Sequence, residues 1–283
     1  MKKIALVVKR NTEEGNDIAC KTLEILDSLG CTVYLTESDR KIAEAFKGVV
    51  LKKDDELFTD AESVIVFGGD GTIMRTAHKT RLPILGVNMG RIGYIAELEP
   101  DELHLLKELV TDNYKIEHRM MLDCCVSKAS KGSSAEPPVL NDIVLSKGSS
   151  SVMPEIELVC NGEDVGKYFA DGLICCTPTG STAYSLAAGG SIIDPGMECF
   201  GISPICPQSF YAKPLIFGGD SVLEFKKGSR GHGRLFLTRD GVFVCEIEDG
   251  DTVTVKKSRS YTKLIRIKKN NFYSVMRSKV TEI

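Results

Sequence analysis

The apolar positions in the first hundred residues alternate between two spacings. Lys3–Val8 is a short run that predicts a strand. From Asp17 to Leu29, the residues Ala19, Thr22, Leu23, Leu26 and Leu29 recur at helical spacing, and Gly30 closes the helix. Cys31–Leu35 predicts a second strand and Ile42–Phe46 a short helical piece. Ser63–Phe67 is an unbroken, largely β-branched run, as a buried parallel strand requires. Ile73, Met74 and Ala77 return to helical spacing, and Pro83–Asn88 predicts a fourth strand. Strands alternating with helices predict an α/β domain with a Rossmann-like parallel sheet.

Pro100 opens another helix, with Leu103, Leu106, Leu109 and Val110 on its apolar face. After Tyr114 the spacing changes. Met120–Ser127 and Val139–Ser146 predict strands around a Ser/Gly/Pro loop at Ala129–Pro138. Glu155–Cys160 and the stretch from Phe169 to Cys176 follow, with the turn pair Asn161-Gly162 between them. Ser221–Phe225, Arg234–Thr238, Val242–Ile247 and Thr252–Lys256 are short strands, with turns at Asp240-Gly241 and Asp249-Gly250. The second part is therefore a mainly antiparallel, β-rich domain. We place the α/β domain at residues 1–105 and the β-rich domain at 106–269.

Composition narrows the classes. Of 283 residues, 42% are hydrophobic and 27% charged, which suits two globular domains. The formal net charge of -3, without a basic block, argues against a nucleic-acid partner. No apolar run reaches the roughly 18 residues of a membrane span. Lys9-Arg10 ends the first apolar run too early for a signal peptide. The ten cysteines include two adjacent pairs, Cys124-Cys125 and Cys175-Cys176, and no C-x-x-C. Reduced, mostly buried thiols in a cytoplasmic protein are expected. His78, His104, His118 and His232 lack metal-ligand spacing, so no protein-held metal site is expected.

Chemistry concentrates in Phe67-Gly68-Gly69-Asp70-Gly71-Thr72, between a predicted strand and a helix. Glycines let backbone approach a phosphate, and a helix N-terminus adds free N–H groups and a positive dipole end. A carboxylate there repels an anion unless it binds a metal or accepts a proton. Asp70 is thus a candidate general base or metal ligand; read structurally, it caps the helix. Asn88–Tyr94, after the fourth strand, lies at the same sheet edge, where ligands of parallel sheets bind. A second segment, Thr177-Pro178-Thr179-Gly180-Ser181-Thr182-Ala183-Tyr184, follows the strand Leu173–Cys176 and predicts a small-residue helix running to Gly190. Its hydroxyls and N–H groups suit a base or ribose; read structurally, it is a capped helix packed on a sheet.

Together the two motifs resemble the ATP–NAD kinase family. The Gly-rich turn alone is shared with diacylglycerol and sphingosine kinases and, loosely, phosphofructokinases. Asp171-Gly172-Leu173-Ile174 running into Thr177–Tyr184 is more specific. Asn141-Asp142, Pro204-Ile205-Cys206-Pro207 and Asp240-Gly241 match further family segments, so the resemblance covers nearly the whole chain. It implies transfer of the γ-phosphoryl of ATP to the 2′-hydroxyl of the adenosine ribose of NAD. Asp70 is then the base, placed within about 3 Å of the hydroxyl proton. Gly68, Gly69, Gly71, Thr72 and Arg75 face the polyphosphate, and Mg²⁺ accompanies ATP. For Arg75 alone, a solvated helix face is the simpler reading.

Carried over by position, Asn141 and Asp142 hold the ribose and adenine side of NAD. Thr179, Thr182, Ala183 and Tyr184 line the adenine site; Tyr94 replaces a usual Phe, and Asp171 contacts the nicotinamide half. The resemblance also implies a homodimer or homotetramer and a last helix, within 270–283, that returns to the first domain. Its Phe272, Val275, Met276 and Lys279 are spaced as an amphipathic helix. Three departures stand out. Asp142 is shorter than the family's Glu, Gln208 stands where a His often follows, and Val242 replaces a usual Gln. The competing readings are a lipid kinase sharing the turn and a nucleotide-binding regulator without catalysis. Retention of Asp70 opposes the regulator, and the absence of a membrane-facing patch opposes the lipid kinase.

Overall fold

A computed structural model describes the chain except residues 9–12, 45, 91–92, 130–131, 231–232, 270–271 and 282–283. Of residues 13–14 and 279–281 only the backbone is described. Lys9-Arg10, Arg91-Ile92 and His232 thus lie outside the described residues, as does the Lys279 side chain. The chain divides into two compact units, Met1–His118 with Thr262–Ile283, and Arg119–Tyr261.

The first unit holds β1 (Lys3–Val7), α1 (Glu13–Ser28), β2 (Thr32–Thr36), α2 (Arg40–Ala43), β3 (Val49–Lys52), β4 (Ser63–Phe67), α3 (Asp70–Lys79), β5 (Ile84–Val87) and α4 (Lys107–Val110). Its strands pair in parallel in the order β3-β2-β1-β4-β5. All five residues of β4 are buried, which is why that strand reads as a continuous apolar run. The order reverses between β1 and β4. That makes the carboxyl end of β4, where the Gly-rich turn begins, a topological switch point.

The second unit is antiparallel. Its strands are β6 (Lys115–Lys128, entering from the first unit), β7 (Gly132–Ala135), β8 (Asp142–Ser146), β9 (Glu155–Cys160), β10 (Glu163–Phe169), β11 (Gly172–Cys176), β12 (Cys199–Ile205), β13 (Leu215–Gly218), β14 (Leu223–Lys227), β15 (Leu235–Arg239), β16 (Val242–Ile247) and β17 (Thr252–Arg266, leaving into the first unit). One sheet has the order β13-β12-β11-β8-β15-β16. In the other, β10, β9, β14 and β17 are neighbours. Leu122, Ile143, Leu158, Leu173, Phe200, Phe225 and Val253 fill the shared core. Strand β11 obeys the two-residue period. Leu173 and Cys175 face that core, while Ile174 and Cys176 pack on the other face with Val144, Ala188 and Ile205.

Several elements depart from the sequence reading. Strands β3, β10 and β13 are additional; all are short or polar and largely half-exposed, so their apolar period is weak. Strand β12 is also additional, its period broken by Gly201, Ser203 and Pro204. Pro204 is tolerated because β13 pairs only with Cys199–Ile202, so the missing N–H has no ladder partner to disappoint. The loop at 129–138 contains β7, whose four residues are all exposed and which forms by backbone pairing with β6. The helix expected over 177–190 shrinks to a 3₁₀ turn at Gly180–Thr182 and α5 (Tyr184–Ala187), because side-chain bonds to the sheet set its path instead. The helix after Pro100 is 3₁₀ as far as Leu106. The chain ends in α6 (Phe272–Thr281).

Candidate active site

The Gly-rich turn leaves β4 at Phe67 and enters α3 with Gly69 as the capping residue. Asp70 is the first helical residue, so it is not the capping residue itself. Instead its two carboxylate oxygens accept N–H bonds from the loop after β5. Tyr94 N donates to Oδ2 at 2.8 Å, and Ile95 N to Oδ1 at 3.1 Å. The capping reading of Asp70 is therefore replaced: the carboxylate joins two loops at one sheet edge. The loop must come very close. A Cβ on Gly93 would lie 2.0 Å from Asp70 Oδ1, so only glycine fits there. Likewise a Cβ on Gly68 would meet the Thr72 side chain at 2.7 Å. At Gly69 a Cβ would meet nothing within 4 Å, so the outer side of the turn is open.

Arg75 bends back one turn, and its Nη2 donates to Thr72 Oγ1 at 3.0 Å. Arg75 is exposed, as a solvated helix face requires, with this one bond back to the turn. Tyr94 is half-buried, and its ring packs on Phe272 with centroids 6.1 Å apart. Burial and the Asp70 charge both raise the Tyr94 hydroxyl above its usual pKa.

The second unit brings three separated segments together. Thr177 N donates to Asn141 O at 2.8 Å, and Thr177 Oγ1 donates to Leu140 O at 2.6 Å. A Cβ on Gly180 would lie 2.1 Å from Asn141 O. Thr177–Gly180 is thus fastened onto 140–142. Asp240, in the turn after β15, accepts N–H bonds from Leu140, Asn141 and Asp142 at 2.8–3.0 Å. Its backbone N donates to Asp142 O at 2.9 Å. Asp142 is 6% exposed. Burial first, and then the Asp240 charge, push its carboxyl from 3.8 up to about 7.

Of the remaining candidates, Thr179 is buried and accepts a bond from Arg119 Nη1 at 3.2 Å. Thr182 Oγ1 donates to Thr179 O, while Ala183 and Tyr184 are exposed. Asp171 pairs with Lys147 Nζ at 2.8 Å. Asn141 Oδ1 is buried with no hydrogen-bond partner, and so has capacity for a ligand donor. Sequence reasoning missed the roles of Gly93, Ile95, Arg119 and Asp240. Only Asp240 had a signal, its Asp-Gly turn; the others act through three-dimensional proximity or backbone atoms. Among the described residues no group of three or more His, Cys, Asp or Glu is arranged to hold a metal ion.

A glycine-rich turn opening a helix at a switch point, in a chain that also carries an antiparallel unit with an unpartnered buried amide oxygen and a buried carboxyl, has the features of the nucleotide-using kinase class. Comparison with known proteins gives the family. Residues 4–114 match the model of the ATP-NAD kinase N-terminal domain and residues 140–267 that of the ATP-NAD kinase C-terminal domain. The NAD kinase of Lachnoclostridium phytofermentans is 35% identical over 287 aligned residues, covering 99% of each chain. Yeast NADH kinase, solved with NADH, has a TM-score of 0.89 at 25% identity, covering 99% of this chain and 88% of that one. An NAD kinase from Archaeoglobus fulgidus, solved with ATP, has a TM-score of 0.74 at 25% identity, covering 99% of each. The chain belongs to the ATP–NAD kinase family.

Proposed function

We infer that the protein is an ATP-dependent NAD kinase, transferring the γ-phosphoryl of ATP to the 2′-hydroxyl of the adenosine ribose of NAD. The observation that carries this is the match of both family models, which together span both halves of the chain. A lipid kinase shares only the turn, and a regulator has no need of a carboxylate fixed through both oxygens.

Asp70 is the general base. An ionised carboxylate has about four acceptor sites, and two are used by Tyr94 and Ile95, so capacity remains for a hydroxyl proton. The fixed carboxylate orients that hydroxyl for in-line attack, which is most of what a loose phosphoryl-transfer transition state asks of a protein. Gly68, Gly69, Gly71, Thr72 and Arg75 receive the polyphosphate. Mg²⁺ arrives with ATP and offsets phosphate charge. In the second unit Asn141, Asp142, Thr179, Thr182, Ala183 and Tyr184 recognise the adenosine half of NAD. Tyr94 and Asp171 complete the dinucleotide contacts.

The protein acts in the cytoplasm as a homodimer or homotetramer. Ten free cysteines support a reducing compartment. Ile216 on β13, Val242 and Phe243 on β16, and Phe210 and Tyr211 are exposed apolar side chains that support self-association. No helix among the described residues is long and apolar enough to cross a membrane. Light scattering at micromolar concentration checks the assembly; a monomer removes that part. The function itself is tested by following NADP formation from NAD and Mg-ATP with purified protein. ATP consumption on lipids without NADP overturns it, as does NAD binding without turnover.

A further inference from the structure

We propose that Arg266, at the carboxyl end of β17, is a positioning residue that sets Asp70 through the backbone of Ile95. The proposal rests on Asp70 being the base. The backbone of Ile95 is held on both sides of its Cα, at the N–H of one peptide and the carbonyl of the next. Its N–H donates to Asp70 Oδ1, and its carbonyl accepts from Arg266 Nη1 at 3.0 Å, 171 residues along the chain. The guanidinium is itself locked. Nε donates to Glu117 Oε2 at 2.6 Å and Nη1 to Glu97 Oε2 at 3.1 Å. Glu97 is 8% exposed, and its Oε1 accepts the N–H groups of Ile267 and Lys268 at 2.8 and 2.6 Å. The fork is therefore fixed by two carboxylates, and one of them also holds the N–H groups of the two residues after Arg266.

The two bonds lie on adjacent peptide planes that share the Ile95 Cα, so holding the carbonyl fixes where the N–H points. The guanidinium fork also fixes direction, which a lysine cannot reproduce. Tyr94, the other donor to Asp70, is supported from the same chain end, since its ring packs on Phe272 of α6. Both N–H donors to Asp70 thus depend on the last strand and the tail. A base displaced by about 1 Å costs about a hundredfold in rate.

The test measures steady-state kinetics for Arg266→Ala and Arg266→Lys, alone and with Asp70→Asn. Thermal melts correct each rate to folded protein. The expected result is a fall in kcat of about 10- to 100-fold for Arg266→Ala, with KM for ATP and NAD within about threefold. Arg266→Lys recovers part of the loss. In the Asp70→Asn background, Arg266→Ala costs less than about twofold more, because both changes act on one group. Should Arg266→Ala fail to fold, Glu117→Gln replaces it and carries the same expectations. Wild-type kcat per folded molecule, a KM that rises as kcat falls, or the full loss repeated in the Asp70→Asn background overturns the proposal. Asp70→Asn with undiminished kcat overturns the base assignment and this inference together. An inactive Asp70→Asn beside normal Arg266 variants overturns the inference alone.

Discussion

Two aspartates, one in each unit, sit in opposite surroundings. Asp70 receives two backbone N–H donors from a loop that glycine allows to approach within contact. Asp142 is buried beside a second carboxylate, Asp240, and its carboxyl is pushed up to about 7. The first arrangement fixes direction and leaves lone pairs free, as a base needs. The second favours the protonated form below about pH 7, and in that form the group has an O–H donor that an ionised carboxylate lacks. Asp240 makes this possible by using its own oxygens on the N–H groups of 140–142. The same side chain is thus held in two different states, and the backbone around each sets which.

The largest expected effect breaks the comparison at its reactive end. Asp70→Asn keeps the shape and removes the base, so kcat falls by about 10²- to 10⁴-fold. KM for NAD changes little if, as proposed, the second unit carries the adenosine contacts. A coupled NADP assay reads both. Retained kcat means that Asp70 only fastens two loops together.

Much of the first region is legible in six consecutive residues, because strand, turn and helix N-terminus are local in sequence. The antiparallel nature of the second unit is legible too, through short alternating runs and Asp-Gly turns. What is hidden depends on contact between distant segments. Nothing around Gly93 announces that Asp70 lies 2.0 Å from where its Cβ would be. The segment after β11 looks helical from its small residues, yet Thr177 and Gly180 bind 140–142 and leave only single turns. Strand β12 escapes detection because Gly201, Ser203 and Pro204 are tolerated where one neighbour strand is absent.

The next effect concerns the recognition end and depends on pH. A carboxyl with a raised pKa in the folded chain favours folding in its protonated form. Its contribution is therefore full below the ordinary value of 3.8 and is lost as pH rises to about 7. Asp142→Asn does not titrate and loses nothing over that window. The unfolding free energy of the variant should gain on the native protein between pH 4 and pH 7, by on the order of 3 kcal/mol, and level off above. Denaturant titrations at several pH values measure the difference. A difference that stays flat with pH shows that Asp142 is ionised in the fold, and removes the contrast with Asp70.

The smallest effect on stability, and the sharpest division between fold and site, comes from two glycines flanking the same carboxylate. At Gly93→Ala the new Cβ displaces Asp70 from its donors, costing about 1–3 kcal/mol and at least about tenfold in kcat. At Gly69→Ala the Cβ meets nothing within 4 Å, and the backbone angles, φ -85° and ψ -177°, are open to any residue. Stability should then hold or rise by about 0.4–1 kcal/mol, as the unfolded chain loses freedom. If the turn receives the polyphosphate, that same methyl occupies ligand space, and KM for ATP rises about tenfold or more while the melting temperature does not fall. Parallel melts and ATP titrations of the two variants separate these outcomes. An unchanged KM in Gly69→Ala would place the phosphates elsewhere and leave the turn with one role, that of carrying Asp70.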